Sequence, residues 1–359
     1  MPTINLVLAG VPFEIETPSL RLTALFADYY RYYDPGVIYD RGTELSSARI
    51  RLELESVDEL PKPADYLPPA ARLVSQTGVL GFWECEKERG GATEYYFRTE
   101  VAAFHVDPKL GLIRGVVAEA ALNYPHILAN TYSLFPILLV LRSLGWYHLH
   151  AAAAISPRGR VWLIPGSQRS GKTTIVTALG LAGWRPISDD SLFLRQTSGE
   201  GGDDLMEIVP LRKYFHLGNE LLSRWRGLDG MLRGHSYLDR TCVAAVEFFG
   251  LSLKREDRVQ RVDYLLMPEI TGEARSRLRP VPASDGLLML GEQSVFLQMW
   301  REHTLCQWRN LERIARGASS LKLDSGIDLL EDPSEIARIL EEVESGCGEV
   351  VGEGFRPSP

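Results

Sequence analysis

The sequence predicts a mixed α/β fold, in which an α+β part comes first and an α/β core follows in the second half. Short apolar runs typical of strands recur through the first 125 residues or so. In the second half, two apolar runs joined by a turn lead into a glycine-rich loop and a helix-compatible segment. We expect three domains: an accessory or recognition domain over 1–125, the core over 126–305 and a helical tail over 306–359.

Composition and charge limit the classes of function. A chain of 359 residues is longer than one ordinary core needs, and its net charge of -8 does not favour nucleic acid. No apolar run approaches the roughly 20 residues that a membrane span requires, so we expect no membrane partner and a cytoplasmic location. The four cysteines are far apart, which favours neither a disulfide framework nor a zinc site. Homo-oligomer formation is left open.

The first 125 residues contain strand-like runs and turn signals, with no motif that carries chemistry. The runs are residues 4–8, 50–55, 79–84, 95–98 and 101–106. Asp34-Pro35-Gly36 and Arg89-Gly90-Gly91 are typical of turns, and residues 61–69 read as a connector rich in proline.

A helix and a hairpin are predicted next. The apolar spacing of residues 127–144 favours a helix, kinked or restarted at Pro136 and stopped by Gly145. Residues 151–155 and 161–164 then form the pattern of a strand, a tight turn and a second strand.

Farther along, the patterns predict two strands and two helices: residues 186–195, 243–249, 221–232 and 334–343. Asp332 is a candidate N-cap for the last helix, and Pro333 suits a first helical position. The residues from Gly346 onward are rich in glycine and proline, and we expect them to fray.

The strongest motif satisfies G-x-x-x-x-G-K-[ST] in full, directly after the second strand of the hairpin. Its residues are Gly166, Ser167, Gln168, Arg169, Ser170, Gly171, Lys172 and Thr173. Backbone N–H groups of such a loop, through Thr174 at the start of the helix, can bind the phosphates of ATP. We expect Lys172 to lie against the β- and γ-phosphates and the Thr173 hydroxyl to ligate Mg²⁺.

Two adjacent carboxylates, Asp189 and Asp190, follow that helix on the predicted strand 186–195. Adjacent strand residues point to opposite faces, so one carboxylate can face the nucleophile and the other the metal. We favour Asp189 as the general base and Asp190 as the metal-supporting residue, although alternation does not fix the order. His150, one hairpin upstream of the loop, is a further catalytic candidate that the sequence alone does not separate from His148.

His150-Ala151, the hairpin, the loop and Ile187-Ser188-Asp189-Asp190 together resemble the C-terminal catalytic domain of the HPr serine kinase/phosphorylase family, including its HPr-kinase-related members. The resemblance spans roughly residues 145–281. It implies an α/β P-loop kinase core of the HPr-kinase/PEP-carboxykinase-like kind, with ATP and Mg²⁺ as cofactors. The matching positions carry active-site roles onto His150, Lys172, Thr173, Asp189 and Asp190.

The chain departs from this family in two places. Residues 209–216 do not show the segment with glutamate and arginine that follows the aspartate pair in the bifunctional enzymes, and the N-terminal half does not match their regulatory domain. The resulting prediction is a serine kinase acting on a protein or peptide. A small-molecule kinase on the same fold and a non-catalytic nucleotide-sensing module stay open as alternatives.

Four arginines are candidates for contacting charge in the transition state of phosphoryl transfer: Arg212, Arg275, Arg277 and Arg279. Because arginines in loops usually face solvent, that role is the weaker expectation for each of them.

Overall fold

The computed structural model describes residues 2–30, 48–77, 80–86, 93–198, 204–211, 214–225, 236–237, 240–244, 259–294 and 301–346. The chain is a mixed α/β protein with large sheets, and it divides into two compact units between Trp146 and Tyr147. We expected a division near residue 125. The later boundary arises because the apolar helix that ends at Ser143 packs against strands of the first unit.

The first unit contains, in chain order, β1 (Thr3–Leu8), β2 (Val11–Glu16), α1 (Leu20–Tyr30), β3 (Ile50–Val57), α2 (Pro63–Tyr66), β4 (Arg72–Thr77), β5 (Leu80–Glu86), β6 (Thr93–Arg98), β7 (Ala102–Asp107), β8 (Leu112–Ala118), α3 (Pro125–Ile127) and α4 (Leu134–Ser143). Within the described residues its strands form one eight-stranded sheet in the order β1-β2-β3-β8-β7-β6-β5-β4. Each of the five predicted strand runs is confirmed in its described part. β2, β4, β8, α1 and α2 were not predicted, and α2 lies within residues 61–69, where only a connector was expected.

The predicted helix over residues 127–144 is interrupted. A π-helical turn over Leu128–Tyr132 separates α3 from α4, and Pro136 lies in the first turn of α4. Proline is tolerated there because the first N–H groups of a helix have no partner within it. Gly145, with a φ of +82°, ends the helical segment as predicted.

The second unit contains β9 (Tyr147–Leu149), β10 (Ala151–Ile155), β11 (Val161–Pro165), α5 (Lys172–Leu181), β12 (Arg185–Ser188), β13 (Leu192–Ser198), β14 (Asp204–Pro210), β15 (Tyr214–Gly218), α6 (Asn219–Arg224), β16 (Ser236–Tyr237), β17 (Arg240–Ala244), β18 (Val259–Gln260), β19 (Tyr264–Ile270), β20 (Arg277–Pro280), α7 (Ala283–Glu292), α8 (Arg301–Gly317), β21 (Ser319–Ser325), α9 (Asp328–Glu331) and α10 (Ser334–Glu344). Its sheets have the orders β12-β10-β11-β19-β21-β20, β18-β14-β13-β9 and β15-β17-β16.

In the central sheet β12-β10-β11-β19-β21-β20, strands β10 and β11 are buried on both faces. Trp162 and Ile164 of β11 join an apolar cluster that includes residues of α5 and α10, while Val161 and Leu163 join a second cluster with α7 and α8. Burial on both faces explains why β11 reads as a continuous apolar run. β11, β19 and β21 are parallel, so their carboxyl ends share one edge of the sheet.

The expected helical tail is not a separate element, because it contributes β21 to the central sheet, next to β19. The last predicted helix is confirmed as α10, and the Asp332 carboxylate accepts a hydrogen bond from the N–H of Ser334 at 2.9 Å. The indole of Trp162 donates to Glu344 at 2.7 Å, and this bond anchors α10 to the sheet.

Several sequence predictions fall partly or wholly outside the described residues. β17 covers only the start of the predicted strand 243–249, and α6 covers only the start of the helix predicted over 221–232. The turn signals Asp34-Pro35-Gly36 and Arg89-Gly90-Gly91 lie outside, as do the residues after Gly346. In the described part of the chain, no helix is both long and apolar enough to cross a membrane.

Candidate functional site

The glycine-rich loop joins the carboxyl end of β11 to the first turn of α5, as the sequence predicts. Gly171 has a φ of +98° and Arg169 a φ of +67°, so the backbone turns through left-handed conformations immediately before the helix. Ile175 donates its N–H to the carbonyl of Gly171 at 2.9 Å, which starts the helical ladder. The first N–H groups of α5 and the positive end of its dipole therefore point toward the loop, where an anion is stabilised.

Gly166 is closely packed within the loop. A Cβ at this position would lie 2.5 Å from the hydroxyl oxygen of Ser170, whose side chain is buried. The side chain of Lys172 is also buried, and its ammonium group donates to the carbonyl of Gly166 at 2.7 Å and to that of Ser167 at 2.9 Å. The lysine cation is therefore held against the loop itself, while Ser167, Gln168 and Arg169 are exposed.

Strand register brings the predicted site residues to one edge of the central sheet. β10 pairs with β11 through Ala151 and Pro165, and with β12 through Ala153 and Ser188. His150 precedes β10, Gly166 follows β11 and Asp189 follows β12. Because neighbouring strands lie about 4.8 Å apart, these three segments are adjacent at that edge.

The prediction of one strand over residues 186–195 is wrong, because the structure places Asp189 and Asp190 in the turn between β12 and β13. The Ser188 hydroxyl accepts hydrogen bonds from the N–H groups of Asp190, at 3.3 Å, and Ser191, at 3.2 Å. A serine side chain thus satisfies backbone groups that a strand would pair with a neighbour. Because the pair lies in a turn, the expectation that the two carboxylates point to opposite faces of one strand does not apply.

Asp190 and His150 form a pair that is accessible to solvent. Nδ1 of His150 lies 3.2 Å from Oδ1 of Asp190, and each side chain is 29% exposed. The Ser191 hydroxyl donates to Oδ2 of Asp190 at 3.2 Å, and the His150 N–H donates to the carbonyl of Gln293 at 2.9 Å. This arrangement holds an imidazole against a carboxylate that outside molecules can reach, as acid–base chemistry requires.

Asp189 has different surroundings. Its side chain is only 2% exposed, and Oδ2 accepts a hydrogen bond from the N–H of His216 at 3.0 Å. His216 lies on β15, and sequence reasoning missed its contact with the aspartate pair. The alternating apolar residues Phe215 and Leu217 indicate a strand there, but they do not indicate what that strand contacts.

The remaining candidates lie at varying distances from this edge. His148 is on β9, where its ring contacts Phe193, so the contact with Asp190 distinguishes His150 from it. Arg277 and Arg279 are on β20, three strands from β11, and Nε of Arg279 lies 3.6 Å from Asp324. Arg275 is exposed in the segment before β20, and Arg212 lies outside the described residues.

The oxygen donors near the loop are of the type that Mg²⁺ prefers. Thr173 carries a hydroxyl in the first turn of α5, and the aspartate pair supplies carboxylates. Mg²⁺ in phosphate-binding sites commonly takes one or two protein ligands and completes its shell with substrate phosphates and water. The donor set fits such a site, although the described residues contain no cluster of three or more histidine, cysteine or acidic side chains around a metal position.

Comparisons with known proteins give a distant structural likeness and no sequence match. No family model matches the chain, and no curated protein matches its sequence. Among solved structures, the HPr(Ser) kinase/phosphatase from Coxiella burnetii is similar at 12% sequence identity and a TM-score of 0.28, over 56% of this chain and 99% of that one.

Proposed function

We propose that this chain is an ATP-dependent kinase that transfers the γ-phosphate to a serine hydroxyl of a protein or peptide. The observation that carries the proposal is the convergence of a complete phosphate-binding loop and the His150–Asp190 pair at one edge of the sheet. A loop of this kind binds a triphosphate, and the adjacent pair supplies the proton acceptor that a hydroxyl nucleophile needs.

In the proposed mechanism, the N–H groups at the start of α5 and the Lys172 ammonium bind the β- and γ-phosphates. Lys172 exchanges its bonds to the carbonyls of Gly166 and Ser167 for phosphate oxygens, which carry more negative charge. Thr173 and Asp189 would hold Mg²⁺, which would neutralise part of the charge on the transferring phosphate. The protein's main contribution is then to orient the γ-phosphorus toward Asp190.

Asp190 is proposed as the general base. Its carboxylate accepts the proton of the serine hydroxyl while the serine oxygen bonds to the γ-phosphorus and the bond from that phosphorus to the bridging oxygen of ADP breaks. His150 positions this carboxylate through the contact with Oδ1. This assignment reverses the order favoured from the sequence, and the burial of Asp189 supports the reversal, because a buried carboxylate is not reached by an acceptor side chain.

The test is transfer of label from γ-labelled ATP into fractionated extract of the source cell, with Lys172→Ala as the control. Label that enters an acceptor with the parent protein but not with the variant supports the proposal, because the variant lacks the motif's ammonium group at the β/γ oxygens. Equal transfer by both proteins contradicts it.

The same assay distinguishes the two alternatives. A small-molecule kinase would label an acceptor that passes a size filter, and a nucleotide sensor would bind ATP without losing the γ-phosphate to any fraction.

A further inference from the structure

β11, the strand that leads into the glycine-rich loop, has neighbouring strands on both sides, and these define two sides of the site. β10 and β12 lie on one side of β11, with His150 and Asp190 at their ends, whereas β19 and β21 lie on the other side. If the γ-phosphate is directed toward Asp190, the nucleoside at the opposite end of the triphosphate is directed over β19 and β21. Ligands of open α/β sheets commonly bind outside the carboxyl ends of parallel strands, and both of these strands end at this edge.

An apolar side chain is exposed at that place. Ile270 is the last residue of β19, and 61% of its surface is exposed. It lies on the same strand face as Tyr264 and Leu266, the face that α5 covers. A Cβ built on Gly171 would lie 3.8 Å from Cγ1 of Ile270, so this side chain adjoins the start of α5 and the end of the phosphate loop.

A polar group lies beside it on the next strand. Ser325 is the register partner of Ile270 on β21, and its hydroxyl oxygen is buried without a hydrogen-bond partner among the described residues. The carbonyl of Ser325 accepts bonds from both the N–H and the hydroxyl of Thr271, each at 3.1 Å, which fixes the two strand ends together. An apolar contact and a hydroxyl are thus held side by side next to the phosphate loop.

We infer that Ile270 and Ser325 form the nucleoside subsite of the proposed kinase. Ile270 packs against the purine ring, and the Ser325 hydroxyl turns out of its buried position and bonds the base or the ribose. The inference rests on the proposed function, since it takes ATP as the nucleotide bound. Small-molecule sites combine apolar walls with a few placed polar groups in this way. Burial of part of an isoleucine side chain by a bound base contributes roughly tenfold in affinity.

The experiment compares the affinities of Mg·ATP and Mg·tripolyphosphate, which contains the phosphates without the nucleoside, for the full chain. Ile270→Ser is expected to weaken ATP binding roughly tenfold and to leave tripolyphosphate binding unchanged within about twofold. Leu288→Ser is the matched control, because Leu288 is 62% exposed and lies on α7, on the other face of the sheet. Ser325→Ala is expected to weaken ATP binding selectively, since the base or the ribose loses one hydrogen bond.

The outcomes separate the two proposals. If Ile270→Ser leaves ATP binding unchanged, or weakens both ligands equally, the nucleoside subsite is wrong while the phosphate loop is retained. If the parent chain binds neither ligand, the proposed function fails and the subsite fails with it. Unchanged circular dichroism of the variant shows that a selective loss of ATP is not a folding defect.

Discussion

Replacing Asp190 with asparagine should abolish most phosphoryl transfer and leave the fold nearly intact. The substitution keeps the size of the side chain and removes its ability to accept a proton, so we expect the chemical step to slow by about 10²–10⁴-fold. The contact with His150 is partly exposed, at 29% for each side chain, so its loss should cost about 0–1 kcal/mol of unfolding free energy. The expected fall in Tm is then no more than about 4 °C.

Asp189→Asn is the matched comparison on the neighbouring residue, which the proposed mechanism assigns to the metal and not to the proton. Asp189 is 2% exposed, and its carboxylate accepts a hydrogen bond from the main-chain N–H of His216. Removal of its charge should therefore weaken this hydrogen bond and destabilise the turn that contains Asp189. We expect a loss of about 1–2 kcal/mol in unfolding free energy, since an amide oxygen still accepts the bond but without a full charge. Asp190→Asn should therefore show the slower phosphoryl transfer of the two variants, and Asp189→Asn should show the lower free energy of unfolding.

Single-turnover transfer from γ-labelled ATP, equilibrium ATP binding and thermal unfolding should be measured for both variants. Parent-like transfer by Asp190→Asn would refute its assignment as the base. If only Asp189→Asn lost the chemical step at unchanged stability and ATP affinity, the order favoured from the sequence would be restored.

Thr173→Val should weaken ATP binding more in the presence of Mg²⁺ than in its absence, because it removes the hydroxyl that is proposed to ligate the metal; equal losses would contradict that role. Gly166→Ala should weaken triphosphate binding about tenfold or more, because its Cβ would lie 2.5 Å from an oxygen of the same loop, whereas Gly218→Ala, with no atom within 4 Å, should not. Burial alone would raise the pKa of Asp328, but hydrogen bonds from Ser276 and other groups lower it below its usual value. Ser276→Ala should therefore lower the unfolding free energy by about 1 kcal/mol at pH 7. The difference from the parent should shrink as the pH falls below about 4, the pKa of an unfolded Asp, and continue to shrink toward the lowered pKa of Asp328 in the folded chain; a difference independent of pH would contradict this.

The parts of the site that depend on local sequence could be predicted. The hairpin, the glycine-rich loop and α5 are contiguous, and burial of β11 on both faces leaves a continuous apolar run that marks its position. Turn signals and helical periodicity involve residues that are close together in the chain, so they can be recognised in a single sequence.

The turn at Asp189 and Asp190 could not be predicted, because it depends on hydrogen bonds to one side chain, that of Ser188. The apolar residues on both sides of the pair fit a single strand, and they belong to strands in the structure. Hydrogen bonds from the Asp190 and Ser191 N–H groups to Ser188 end the first strand and start a turn, which composition does not distinguish from a continuing ladder.

Contacts between segments that are distant along the chain also could not be predicted from the sequence. The hydrogen bond from His216 to Asp189 joins residues that β13 and β14 separate along the chain, and the pairing of Ile270 with Ser325 depends on sheet order. β21 was not predicted, although Leu321 and Leu323 alternate with polar residues there. Sheet order depends on the packing of the whole unit, which one short pattern does not specify.

The most direct test of the account is to locate the phosphate after a single turnover with γ-labelled ATP and the acceptor found in the extract. Mass spectrometry of the labelled acceptor should place the phosphate on the oxygen of a serine side chain in a protein or peptide, with labelling lost in Asp190→Asn. Phosphate on a small molecule, or ATP that binds and keeps its γ-phosphate in the presence of every fraction, would contradict the account.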